Sequence, residues 1–398
     1  MEAKFVLAVV FTFVVISCVG CESSTNTREP EAPVSRVLIS AKGKQQESLH
    51  QNRLTRFLQS RLEKLGVTVD ESDLGPISNY EYGDNLISLV LGDPLQAVSV
   101  IYDSMSSDFW ITSKKCQSEA CQGRKSYNSA SSKSYKPNGT EISANYVKGS
   151  MKGHLSVDNF IFVYSQFSLT FGEATELSDE FKGTKFDGIL GLSADMMSNK
   201  RPINPVAAYL RYGSMKYTVS SSLGRKGNNP YFVLGDPVPK LYSGPITYAP
   251  LTHKVYWQFK LDDVAVAGSN ALAGTCTQGC QAIADTGSSL IYGPAEAVQK
   301  LNKAIGATKT RDGAWLLRSC DEDQLPNVVF TVAGNPLPMS ATTYVIEEKE
   351  GDKKSCYSSF VEVTGSDSLW ILGSRFSGRE YYTILEFDNQ RVGFAQGK

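Results

Sequence analysis

The stretch "AIADTGSSLIY", Ala282–Tyr292, decides the reading of this chain, because "VIYDSMSSDFW", Val100–Trp110, nearly repeats it. Each is an apolar lead-in, one Asp, a hydroxyl residue and a pair of serines. Asp103 and Asp285 stand 182 residues apart. A second phrase keeps the same offset. "FDGILGL" carries Gly191, "LWILGS" carries Gly373, and each glycine follows its Asp by 88 residues. One short match can be chance. Two matches in one register imply two copies of one lobe. A solenoid is excluded by two copies at so long a period.

The 398 residues exceed one ordinary core and fit two lobes. Tyr, Phe, Val and Ser are plentiful, which suits pleated strands. A formal net charge of −1 gives no basic face for nucleic acid. Three scattered histidines, His50, His154 and His253, do not make a metal site, and no cofactor is expected. Neither serine pair lies in a Gly-x-Ser-x-Gly phrase, which sets aside a serine hydrolase.

The chain reads as four segments. Residues 1–21 form a signal peptide, with Lys4 ahead of the apolar "FVLAVVFTFVVIS", which is short for a membrane span. Residues 22–73 form a pro-segment. Its start, "ESSTNTREPEAP", reads as disordered. Leu54, Phe57, Leu58, Leu62 and Leu65 then recur at helical spacing, between an N-cap at Ser48 and a stop at Gly66. Arg53, Arg56, Arg61 and Lys64 make that helix basic. Surface, membrane-surface and cleft-covering roles all suit it, and its place before the globular body favours the last. Residues 74–244 and 245–398 are the N-terminal and C-terminal lobes. Their short apolar runs broken by Gly, Pro, Asn and Asp read as strands. The clearest helix is "PAEAVQKLNKAIGA", with Pro294 at its start and Gly306 at its end. No membrane span is expected in the mature chain.

Behind the leader, Cys116, Cys121, Cys276, Cys280, Cys320 and Cys356 are an even set and read as disulfides. Six cysteines allow 15 pairings, of which adjacent pairing is the simplest. Cys21 stays odd or leaves with the leader, according to where the leader is cut.

A strand running into a tight turn presents each carboxylate beside hydroxyl and amide donors. If the lobes pack about a pseudo-twofold axis, the two turns meet. Two carboxylates in close contact share a proton, so one acts as base and the other as acid on a water between them. The general chemistry of this dyad is long described.

With these residues, the chain from about Tyr80 to Lys398 resembles the pepsin-like aspartic proteases of the pepsin and cathepsin D type. The match takes in "ADTGSS", the degenerate "YDSMSS", and Trp110 seven residues after the first Asp. It takes in both Ile-Leu-Gly phrases and "YVKGSMKG" with Tyr146, which resembles the family's flap hairpin. The resemblance implies a mostly β, bilobal fold, two pseudo-twofold-related lobes with a cleft between them. It implies that Asp103 and Asp285 hold the lytic water and that Ser104 and Thr286 brace the two turns across the interface. Ser106 and Ser288 would bond the carboxylates or lie just behind them, with Gly287 giving close backbone approach. Tyr146 would cap the cleft and bond Trp110. The adjacent cysteine pairs fit the family's disulfides, and "KPNGT" places a glycosylation sequon at Asn138. The family's spacing puts maturation near Asp73. The expected partners are an extended peptide or protein substrate and the chain's own pro-segment, with the protein a monomer in the secretory pathway, secreted or lysosomal.

Three departures cluster at the cleft. Met105 stands where the family has glycine, and it is expected to intrude on substrate backbone or to shift the Asp103 turn. Ser104 stands for the family's threonine, keeping the bridging hydroxyl and losing only a methyl, and Val147 and Lys148 replace small residues at the flap tip. Ser374 replaces a common Asp and carries little weight. Two functions follow: an aspartic endopeptidase made as a zymogen, with Met105 attenuating it, or a catalytically inactive secreted pseudoprotease that binds peptides or proteins.

Overall fold

The computed structural model describes residues 36–40, 86–146, 149–162, 165–196, 204–213, 215–224, 230–272, 276, 279–311, 313–350, 353–363 and 369–398. The fold is mostly β, a bilobal pepsin-like arrangement. The leader, the basic helix around Leu54–Leu65, and Val147 and Lys148 lie outside the described residues.

The 88-residue offset of the sequence becomes a strand register. Gln96–Asp103 runs parallel to Gly188–Gly191, pairing Asp103 with Gly191. Cys280–Ala284 runs parallel to Leu369–Leu372, pairing Ala284 with Leu372. In each half the strand after the Asp turn closes back antiparallel on the Ile-Leu-Gly strand: Phe109–Thr112 in the first, Ile291–Pro294 in the second. Each of those strands takes a further parallel neighbour, Ser165–Leu177 or Phe360–Val363. The same four-strand motif is thus built twice, inside a seven-stranded and a five-stranded sheet. The central strands read as near-continuous apolar runs because both faces are covered; Gly188–Gly191 is buried at every residue.

A six-stranded sheet draws strands from both halves of the chain. Thr218–Ser222 and Tyr231–Gly235 lie beside Tyr381–Glu386 and Arg391–Gly397, with Tyr242–Pro250 at one edge. The other edge is Arg36–Ser40, antiparallel to Tyr231–Gly235. The sequence pattern does not predict this strand, which falls in the segment read as a pro-segment.

The predicted helix forms as Ala295–Ala304, with Ala297, Val298 and Leu301 buried. Of the 15 pairings, the adjacent one is present: Cys116–Cys121, Cys276–Cys280 and Cys320–Cys356. No described helix is long and apolar enough to cross a membrane.

The glycines of the Ile-Leu-Gly phrases are needed for close approach. A Cβ on Gly191 would lie 2.6 Å from the Ser106 carbonyl oxygen, and one on Gly373 would lie 2.0 Å from that of Leu290. Both obstacles are backbone of the loops that follow the aspartates, so neither can swing aside. Gly373→Ala is expected to cost about 3 kcal/mol or more. Gly397→Ala, whose Cβ would meet nothing closer than 3.6 Å, is expected to stay within about 0.5 kcal/mol. Denaturant midpoints of the two variants check the contrast.

Candidate active site

The two Asp turns meet, and side-chain hydroxyls lock them together. Ser104 N–H donates to Thr286 Oγ1 at 2.9 Å, and Thr286 N–H donates to Ser104 Oγ at 2.9 Å. Each hydroxyl then donates onward across the interface, Ser104 to the Ala284 carbonyl at 2.8 Å and Thr286 to the Tyr102 carbonyl at 3.1 Å. Four hydrogen bonds satisfy two amides, two hydroxyls and two carbonyls, all buried. The missing methyl of Ser104 costs the brace no bond.

Inside each turn the carboxylate is held alike. Met105 N–H donates to Asp103 Oδ1 at 3.0 Å, and Gly287 N–H donates to Asp285 Oδ1 at 2.9 Å. Both aspartates are buried at the interface. The Asp103 turn therefore keeps the geometry of its twin, contrary to the expectation that Met105 shifts it. Nor does the methionine stand free in the cleft. Its side chain is only 8% exposed and packs into an apolar cluster of the C-terminal half. The serines differ. Ser288 Oγ donates to Asp285 Oδ2, whereas the buried Ser106 hydroxyl has no hydrogen-bond partner among the described residues.

The backbone after each Ile-Leu-Gly phrase threads behind the turns. Leu192 N–H donates to the Asp103 carbonyl at 2.7 Å, Ser193 N–H to that of Ser106 at 2.9 Å, and Ser374 N–H to that of Ser288 at 2.7 Å. Ser374 acts here through its amide.

Tyr146 stands where the hairpin strands Lys136–Asn145 and Ser150–Phe162 turn, its amide donating to the Gly149 carbonyl at 2.9 Å. Its hydroxyl accepts from Trp110 Nε1 at 2.6 Å, the predicted bond. Phe181 packs edge-on against both rings. Asn138 is exposed on the first hairpin strand, at the margin of the seven-stranded sheet.

Two sets of residues here are missed by motif reading. Trp257 reaches across from the second half, its Nε1 donating to the Leu192 carbonyl at 2.7 Å, while Ala194 N–H donates to the Val255 carbonyl. The other set is apolar side chains that make a row beside each Asp: Ile101 and Ile189, alongside the already named Trp110, in the first half, and Ile283, Ile371 and Tyr292 in the second. Counting from each Asp reveals the rows, at −2, +7 and +86 in both halves.

Asp187, which opens the first Ile-Leu-Gly phrase, accepts from the Ser99 amide at 2.8 Å and the Lys125 amide at 2.9 Å. Burial pushes its carboxyl above the usual range, and those amides pull the other way. Arg124 donates to the Phe181 and Phe186 carbonyls. Burial lowers its guanidinium to about 10, opposed by the charge of Asp187.

A family model for eukaryotic aspartyl proteases matches residues 85–397. This chain belongs to that family. The chain is 37% identical over 334 residues to cathepsin D of Dictyostelium discoideum, covering 80% of this chain and 85% of the relative. It is 33% identical over 352 residues to chymosin of Camelus dromedarius, covering 86% and 89%. Against gastricsin of Cavia porcellus it is 30% identical over 392 residues, covering 96% and 98%.

Two outcomes follow from this geometry. Ser104→Ala and Thr286→Ala each leave a buried amide and a buried carbonyl unpaired and are expected to cost about 1–3 kcal/mol per group left unpaired. The double variant should cost less than the two singles summed, because they share the brace, and a double-mutant cycle on unfolding reads this. For Asp187 the folded carboxyl is raised, so its contribution to stability is full below the unfolded value and is lost as pH rises through the folded one. Asp187→Asn should therefore destabilise more in acid than at neutral pH, read from unfolding midpoints across that range.

Proposed function

We propose that the protein is an aspartic endopeptidase in which Asp103 and Asp285 together activate a water for attack on a peptide carbonyl. The observation that carries this reading is the hold the two turns share: the Asp103 turn keeps the brace and the amide contact of the Asp285 turn, with Met105 in place, and only the serine bond to Asp285 lacks a counterpart. One carboxylate takes a proton from the water as its oxygen attacks the carbonyl carbon. The other protonates the carbonyl oxygen, and a proton then passes to the departing nitrogen. An extended peptide in the cleft would bond through its main chain, with side chains in apolar pockets on either side. The hairpin carrying Tyr146 would close over it.

In this reading residues 1–21 direct the chain into the secretory pathway, to a lysosome or to the outside, and residues 22–73 keep it a zymogen. The mature monomer comprises the lobes 74–244 and 245–398, with glycan at Asn138. The pairing of Arg36–Ser40 with the six-stranded sheet supports a pro-segment docked on the body. Acid would loosen its basic helix by protonating partner carboxylates.

A second reading, an inactive secreted pseudoprotease that binds peptides, is favoured by the unpartnered Ser106 hydroxyl and by Met105 beside the dyad. One assay separates them. The full chain is acidified to about pH 3.5–5 and given a denatured protein. The endopeptidase sheds its N-terminal segment and cleaves, and Asp103→Asn or Asp285→Asn lowers the rate by about 10²–10⁴-fold. A wild type that binds peptide but cleaves no faster than Asp285→Asn is the pseudoprotease.

A further inference from the structure

The two rows of apolar side chains differ in what covers them. Alternation along a strand puts residues two apart on one face, so Ile101 flanks Asp103 and Ile283 flanks Asp285 on the carboxylate side. In the first half the row Ile101, Ile189 and Trp110 is covered by Tyr146, Phe181 and Met151 of the hairpin region. In the second half register places Ile283 beside Ile371, Ile371 beside Tyr292, and Tyr292 beside Val361. This row forms one buried cluster with Met105, which comes from the opposite Asp turn. Tyr256 packs at its margin. At the matching position of the second turn, Gly287 has no side chain to send back.

We propose that Met105 determines specificity by occupying the apolar pocket that a substrate side chain would enter on the Asp285 side of the scissile bond. This rests on the endopeptidase reading. A peptide laid between the carboxylates sets one side chain against each row. On the Asp103 side it meets a pocket roofed by the hairpin. On the Asp285 side the thioether already fills the space over Ile283 and Ile371. A small residue fits beside it, whereas a large one must displace it and lose the packing it makes. Methionine is unbranched and polarizable, so it follows the irregular surface of this row closely.

The test uses peptides whose scissile amide is replaced by a hydroxyethylene group. They carry Ala or Phe immediately before it, or immediately after it. Binding is measured by calorimetry at about pH 4 for wild type, Met105→Gly, Met105→Ala and Met105→Leu, and folding of each variant is checked by thermal unfolding. The expected result is confined to one flank. There wild type prefers Ala to Phe, Met105→Gly and Met105→Ala reverse the preference by about tenfold or more, and Met105→Leu restores it. Preference at the other flank stays put. If the peptides bind but the substitutions move both flanks equally or neither, the proposal is overturned while the endopeptidase reading stands. If no peptide binds to any variant, both fall.

Discussion

Everything at the centre of this molecule depends on two hydroxyls that each reach into the other half of the chain. Ser104 and Thr286 each accept an amide hydrogen from the opposite turn and donate to a carbonyl of the opposite strand. A bond to one partner would leave polar backbone buried and unpaired, at about 1–3 kcal/mol per group. The reciprocal arrangement leaves none. It also fixes the two Asp turns to each other, so carboxylates from segments 182 residues apart are placed by a contact local to both. Positioning of this kind has large consequences, since small misplacements of reacting groups are expensive in rate.

The brace explains how a bulky residue sits inside the first turn. Met105 contributes its amide to Asp103, which any residue can do, and its side chain takes no part in the four cross-bonds. The side chain leaves the turn for the apolar row of the other half. The two halves are therefore equivalent in backbone and unequal in surface. One row clusters with a hairpin and an aromatic pair, the other with a thioether sent from the opposite turn. The glycines at 191 and 373 keep the backbone equivalent, because each lets the chain thread behind its turn at a distance no Cβ allows.

Much of this was legible in the residues themselves. The shared offset of two Asp phrases and two Ile-Leu-Gly phrases is the strand register itself, so the internal duplication could be read before any coordinate. Trp110 and Tyr146 were found as a bonded pair because their family resemblance names them. Trp257 was not, since a lone tryptophan in an apolar run carries no pattern, and its partner is a backbone carbonyl. The row of Tyr292, Ile283 and Ile371 was hidden for a different reason. Register brings together residues from three strands, and only pairing across strands shows them on one face. The direction of the Met105 side chain is not legible, because sequence reports its size and not where it packs. Arg36–Ser40 was missed because five residues with little alternation gain their strand conformation from the sheet they join.

That joined strand would matter to the rest of the sheet if the proposed pro-segment were cleaved away. Arg36–Ser40 completes the hydrogen bonding of Tyr231–Gly235, which faces Thr218–Ser222 on its other side. Release of residues 36–40 would turn an interior strand into an open border, with a ladder of backbone donors and acceptors bared to water. Such a border templates pairing with any extended chain that arrives, including another copy of this protein. A stable end state would then need a substitute strand beside Tyr231–Gly235.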